Sequence, residues 1–193
     1  MCLILFRFRP QSTEPLLVAA NRDEFHQRAS AGAEFWEDEP QILAGKDLVA
    51  GGTWLGCSRQ GRFAALTNFT QGDASEFPKS RGELVRGFLA GNESVKDYAL
   101  GLKGDQYAGY NLLLFDGARL LYTTNVSQQD QPRSRLLPAG DYGLSNAELG
   151  ATWPKCVDGA IRLGALADQD HTNQQLIEPV SYTHLTLPTI LLV

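Results

Sequence analysis

The sequence predicts an α+β fold built on antiparallel sheets, and three observations carry that expectation. Short apolar runs follow one another from Cys2 to Asn68, with turn residues between them. Two helical stretches come next, with no strand between them. Strands then return in hairpin spacing around Asp116-Gly117. Strands joined by tight turns are antiparallel, because a parallel pair needs a crossover of about a dozen residues or more. Helices grouped apart from the strands belong on the outer faces of the sheets.

Each element has its own warrant. Residues 2–8 are rich in Leu, Ile and Phe and read as a strand; 10–15 hold two prolines and turn the chain; 16–20, Leu-Leu-Val-Ala-Ala, read as a second, buried strand. Residues 24–39 are polar without a period and read as a surface loop carrying Phe35 and Trp36. Four short strands are expected at 41–44, 48–50, 53–57 and 62–68, with turns at Gly51-Gly52 and Gln60-Gly61. A polar loop covers 70–78. Residues 79–89 place apolar side chains at 84, 85, 88 and 89, the helical spacing. Gly91-Asn92 ends that helix, and Ser94 caps a second one through about Leu102. Strands return at 110–115 and 120–124, then at 135–137 and 142–144 after a polar loop. Residues 153–166 read as a helix with Pro154 in its first turn, and 172–178 as the start of another.

Composition narrows the function classes. The 193 residues are 43% hydrophobic and 20% charged, as in ordinary globular domains, and a single domain is expected. A net charge of −5 without any basic run argues against nucleic acid or an anionic membrane as partner. No run is long enough to span a bilayer, so no stable membrane insertion is expected. Cys2, Cys57 and Cys156 are too scattered for a disulfide framework or a zinc site, and a cytoplasmic protein without metal or cofactor is expected. Cys57 and Cys156 read as packing residues. His26, His171 and His184 are too dispersed for a histidine triad.

The chemistry gathers at the beginning of the chain. Cys2 follows the initiator methionine, and its small side chain suits removal of Met1. Cys2 would then carry a thiol and an α-amine of pKa near ~8 on one carbon, so that the amine serves as local base for the thiol. The second strand ends in Asn21-Arg22-Asp23-Glu24. A hairpin brings that run beside Cys2, where Arg22 can hold a carboxylate or lower the thiol pKa and Asp23 can orient the amine. The competing reading of Cys2 is a small residue packed in a buried strand. Asn68 and Asn146 each end an apolar strand and are candidate donors to an oxyanion or a substrate amide. Trp54 reads as core or as a pocket wall. Asn111, within a strand, reads as a buried structural amide.

Cys2 with Ala20-Asn21-Arg22-Asp23-Glu24-Phe25 resembles the transport and Golgi organisation protein 2 family, also called the Asn-Arg-Asp-Glu family. Gly51-Gly52-Thr53-Trp54-Leu55-Gly56, 63–69, Gly109-Tyr110-Asn111, Gly143-Leu144-Ser145-Asn146 and Trp153-Pro154-Lys155 extend the resemblance from Met1 to about Glu178. It implies a four-layer αββα sandwich of two mainly antiparallel sheets, similar to N-terminal-nucleophile hydrolases, with Cys2 as nucleophile. By analogy with the related acylases, Asp23 orients the amine while Asn68 and Asn146 hold the oxyanion or substrate. Asn21, Arg22, Glu24 and Trp54 would line the substrate site. Those acylases separate their arginine and aspartate by a wider gap, whereas Arg22 and Asp23 are adjacent.

Two functions follow as expectations. One is a cysteine amidohydrolase acting on a small non-peptide amide. The other is a carrier of haem or a lipid acyl chain on the same scaffold, without turnover. Residues 180–193 carry no charge and no periodic link to what precedes them, and resemble foreign read-through. Residues 1–179 are therefore expected to form a single family domain, truncated at its C-terminus. The sequence gives no oligomeric state.

Overall fold

The computed structural model describes residues 2–24, 27–69, 77–126, 133–169, 172–181 and 189–192. The chain divides into two compact units, residues 1–24 with 138–193, and residues 25–137. Each unit is built on one antiparallel sheet.

The first unit has the strand order β10-β1-β2-β11. Here β1 is Cys2–Phe8, β2 is Leu16–Arg22, β10 is Gly140–Leu144 and β11 is Thr189–Leu192. The first two form the expected hairpin, and its register pairs Cys2 with Arg22, Leu3 with Asn21 and Ile4 with Ala20. Side chains alternate across a strand, so Leu3 and Leu5 share one face, while Cys2, Ile4 and Phe6 share the other. The first face packs with Leu17 and Ala19 against Cys156 and Leu163 of helix α3 (Pro154–Ala167) and Leu176 of helix α4 (Asn173–Ile177). The α4 helix starts with a capping box, in which Thr172 and Gln175 satisfy each other's backbone N–H groups. Leu17–Ala20 of β2 pairs with β11, a segment within the stretch whose composition resembles read-through.

The second unit is a seven-stranded meander in sequence order. Its strands are β3 Ser30–Phe35, β4 Ile42–Asp47, β5 Leu55–Ser58, β6 Phe63–Asn68, β7 Tyr110–Phe115, β8 Leu120–Thr124 and β9 Ser134–Leu136. Helices α1 (Gly82–Ala90) and α2 (Val95–Gly101) belong to this unit. Leu84, Val85, Phe88 and Leu89 of α1 are buried with Ala64, Leu66, Leu112 and Leu114 of the sheet. Ser94 caps α2 through the N–H of Asp97, as its position foretold.

Two expectations needed correction. Residues 30–35 are a strand rather than loop. They pair with β4 at the sheet edge through a bulge, and five of the six residues are exposed, so no alternation marks them. Residues 48–50 are a turn rather than a strand. The Asp47 carboxylate accepts from the N–H groups of Val49 and Ala50, and Gly51 completes the turn at φ +72.

Candidate functional site

The first unit brings together most of the residues singled out by sequence. Cys2 opens β1, Asn21 and Arg22 close β2, and Asp23 and Glu24 follow directly. Beyond the end of β10 come Ser145 and Asn146. These two hold Cys2 by its backbone on both sides. The Cys2 N–H donates to Asn146 Oδ1 at 2.9 Å, and Ser145 Oγ donates to the Cys2 carbonyl at 2.5 Å. The Cys2 nitrogen is therefore seated by Asn146. Asp23 Oδ1 accepts from Asn21 Nδ2 at 3.5 Å. Arg22 forms an ion pair with Glu24.

Electrostatics at Cys2 pull in two directions. The residue is only 6% exposed, and burial pushes its thiol above the ordinary value. The Arg22 guanidinium is the strongest charge drawing it back, while Asp23 and Glu24 raise it. Cys156 is also buried and its thiol is likewise pushed up by burial; Cys57 is half-buried, with the same direction of shift. Both fit the packing role expected of them.

Asn68 and Trp54 belong to the second unit. Asn68 ends β6 opposite Tyr110 and is exposed. Trp54 is half-buried against the helix-side core of that unit. Asn111 is the buried structural amide the sequence suggests. Its Nδ2 donates to Thr67 Oγ1 at 3.1 Å, and its Oδ1 accepts from Tyr122 OH at 2.6 Å. His26 and His171 lie outside the described residues. Among the described residues no cluster of three or more His, Cys, Asp or Glu is placed to hold a metal, and no helix is long and apolar enough to cross a membrane.

Sequence reasoning missed three residues of this end of the sheet. Ser145 grips the Cys2 carbonyl. Gly143 has no room for a side chain, because a Cβ there would stand 2.3 Å from the carbonyl oxygen of Cys156. Lys155, in the first turn of α3, is half-buried, and burial lowers the pKa of its ammonium against the opposing charges of Cys156, Asp23 and Cys2. A signal for Lys155 was present in the sequence. A cation just after Pro154 sits at a helix start, where the backbone dipoles disfavour it.

Two antiparallel sheets with their helices define an α+β fold. The fold of a Caenorhabditis elegans N-acylethanolamine-hydrolyzing acid amidase ortholog superposes with a TM-score of 0.66 over 99% of this chain and 92% of that one. At 9% identity that likeness speaks for the fold alone. The chain belongs to the Transport and Golgi organisation 2 family, whose model matches residues 1–188. The Transport and Golgi organization protein 2 homolog of Bos taurus is 35% identical over 208 residues, covering 97% of this chain and 74% of that protein. The homolog of Homo sapiens is 39% identical over 173 residues, covering 82% of this chain and 62% of its own length.

Proposed function

We propose that the chain is a cysteine amidohydrolase of the N-terminal-nucleophile type, with Cys2 as nucleophile once Met1 has been removed. The observation that carries the reading is the seat around the Cys2 backbone. Asn146 accepts from its nitrogen at 2.9 Å and Ser145 donates to its carbonyl at 2.5 Å. A nitrogen held in this way would keep its lone pair and protons in a fixed relation to the thiol, as proton transfer between them requires.

The reaction then runs in two halves. The α-amine takes the thiol proton, and the sulfur adds to the amide carbonyl. The C–N bond breaks, the leaving amine departs with that proton, and a thioester remains. Water adds to the thioester with the α-amine as base. The C–S bond breaks, giving a carboxylic acid and the restored thiol. Asp23 and Arg22 set the charge around the amine and thiol. Asn146 is proposed to divide its amide between the Cys2 nitrogen and the substrate. Asn21 and Glu24 are proposed as substrate contacts. The substrate class is a small non-peptide N-acyl amide, and the proposed compartment is the cytoplasm.

The test begins with the intact mass, which is expected to lack Met1. A panel of N-acyl amides should then be turned over by the wild type. Cys2→Ala and Cys2→Ser should lose at least about a thousand-fold of that activity with circular dichroism unchanged. Retention of Met1, or full turnover by Cys2→Ala, sinks the proposal.

A second reading is favoured by one observation, the burial that raises the Cys2 thiol. A neutral, packed thiol suits a carrier of haem or an acyl chain. In that case haem or fatty acyl ligands bind wild type and Cys2→Ala equally, and neither turns over an amide.

A further inference from the structure

Helix α3 buries one side against the sheet of the first unit and leaves an apolar stripe exposed along its flank. Trp153, just before the helix, is 37% exposed, Val157 43% and Ile161 66%, and the exposed Ala165 continues the series. These residues are spaced four apart, so they follow one side of the helix. The same flank walls a groove of about 490 Å3, bounded on its other side by Asp141, Tyr142 and Gly143 of β10. Exposed apolar patches with a polar rim mark sites of interaction.

Beside that groove the sheet is open. Strand β10 is the outermost of its four strands, and among the described residues no strand pairs with its other side. It pairs with β1 from Gly140 to Leu144 without a shift of register. It holds neither lysine nor proline, the residues that commonly blunt an edge. Its one charged side chain, Asp141, is already held by Arg7 and Arg9. A strand edge and a helix flank that are open side by side are covered together by a second strand with its own helix.

We propose that this face pairs with the same face of a second copy of the chain, β10 to β10 and α3 to α3, about a two-fold axis. The inference is independent of any role for Cys2. Strand and helix agree on where the axis falls. In an antiparallel β10 pair centred on Tyr142, each Asp141 stands opposite Gly143 of the other copy, so no like charges meet. In α3, Cys156 lies against Gly143 and Gly164 against Asp141, which sets Tyr142 level with Ala160, midway between them. The stripe from Trp153 to Ala165 has its own midpoint at Gly159, the neighbouring residue. Spacing agrees as well. Helix α3 lies over β10 and β1, against Gly143 of one and Leu5 of the other. With strands about 4.8 Å apart, two such helices flanking a β10 pair have axes about 10 Å apart, the distance at which helices pack.

Charge is complementary across the pair. Asp168 ends α3, where the helix dipole disfavours a carboxylate. Its side chain is 70% exposed although it accepts from Arg7. In the antiparallel pair it comes beside the N-terminal end of the other α3, where the dipole favours it. Val157 faces Ile161 of the other copy, and the large Trp153 faces the small Ala165. The groove and its rim offer about fifteen residues per copy, against about 20–30 a side in a standard interface, so a weak dimer with a Kd on the order of 10 μM is expected.

Sedimentation equilibrium of the full chain tests this. Between about 1 and 200 μM the mass should climb from that of one chain towards that of two. Ile161→Lys should raise the Kd at least about ten-fold. Ile161→Gln is the second variant should lysine disturb folding, with circular dichroism as the check. Leu100→Lys, at an apolar position 84% exposed in the second unit, should leave the Kd unchanged. Orientation is read by cross-linking. Under mild oxidation a mixture of Val157→Cys and Ile161→Cys chains should form a disulfide-linked dimer several-fold faster than either variant alone, because antiparallel helices set 157 opposite 161. Peptide mass separates that link from any made by Cys2, Cys57 or Cys156.

A chain that stays monomeric across the whole range overturns the proposal and leaves the groove to a different ligand. A dimer that a folded Ile161 variant does not weaken lies on another surface and overturns it too. Single cysteine variants that link as fast as the mixture overturn the antiparallel arrangement of α3, and with it the shared axis.

Discussion

Two strand ends in this molecule carry polar side chains, and they treat them differently. At the ends of β6 and β7, Thr67, Asn111 and Tyr122 form a neutral row in which Asn111 both donates to Thr67 and accepts from Tyr122. Thr67 and Asn111 are fully buried, and Tyr122 nearly so. At the beginning of β1, by contrast, charges gather around a thiol whose pKa burial raises. Backbone rather than side-chain bonds hold that residue in place. A neutral row with its bonds made internally braces a sheet. A thiol held by its backbone leaves its side chain to a mixed field of charges. The difference lies in what the hydrogen bonds are spent on.

That contrast is breakable, and the largest effect is expected on the neutral side. Asn111→Ala removes a group that serves two buried partners, leaving the Tyr122 hydroxyl and Thr67 to be satisfied elsewhere. A loss of about 3 kcal/mol in urea unfolding is expected, since each orphaned buried group costs about 1–3 kcal/mol. Asn111→Asp should be no better, because it buries a charge. A loss under about 1 kcal/mol for Asn111→Ala would show that the row is not the brace described.

The next effect tests the charged side. Gly143→Ala places a Cβ 2.3 Å from the Cys156 carbonyl oxygen, a backbone atom that cannot swing aside. Either α3 shifts or β10 does. A cost of about 1–3 kcal/mol is expected from the overpacking. The more telling readout is at Cys2. If the α3 start and the Ser145-Asn146 segment are one support, the iodoacetamide rate at Cys2 should change along with stability. A destabilised variant with unchanged Cys2 reactivity would separate the helix from the seat.

Much of this arrangement was legible in the sequence. The β1–β2 hairpin, the two helices after β6 and the capped start of α2 followed from apolar spacing and turn residues. Asn111 read correctly as a structural amide, because a polar residue inside an apolar strand needs buried partners. What stayed illegible depends on contact across the chain. Strand β3 has no alternation, because an edge strand exposes both faces. That Asn146 accepts from the Cys2 nitrogen depends on β10 lying beside β1, a pairing across more than a hundred residues. Gly143 looks like any strand glycine until α3 is laid against it.

The smallest effect concerns the far end of β1, where ionic contacts do structural work only. Arg7 donates to Asp141 at 2.9 Å and to Asp168 at 2.7 Å, and Arg9 donates to Asp141 at 3.1 Å. The Arg7 side chain is 13% exposed, against 27% for Asp141 and 70% for Asp168. Asp141→Asn takes the carboxylate from both arginines at once, and about 1 kcal/mol of stability should go with it. Asp168→Asn removes a solvated carboxylate and leaves Arg7 bonded to Asp141, so its urea midpoint should match that of the wild type. Neither change should alter the alkylation of Cys2, whose field is set at the opposite end of the strand. A shift in Cys2 reactivity in Asp141→Asn would mean that charge, and not only packing, is transmitted along α3. The independence of the two ends of β1 would then have to be given up.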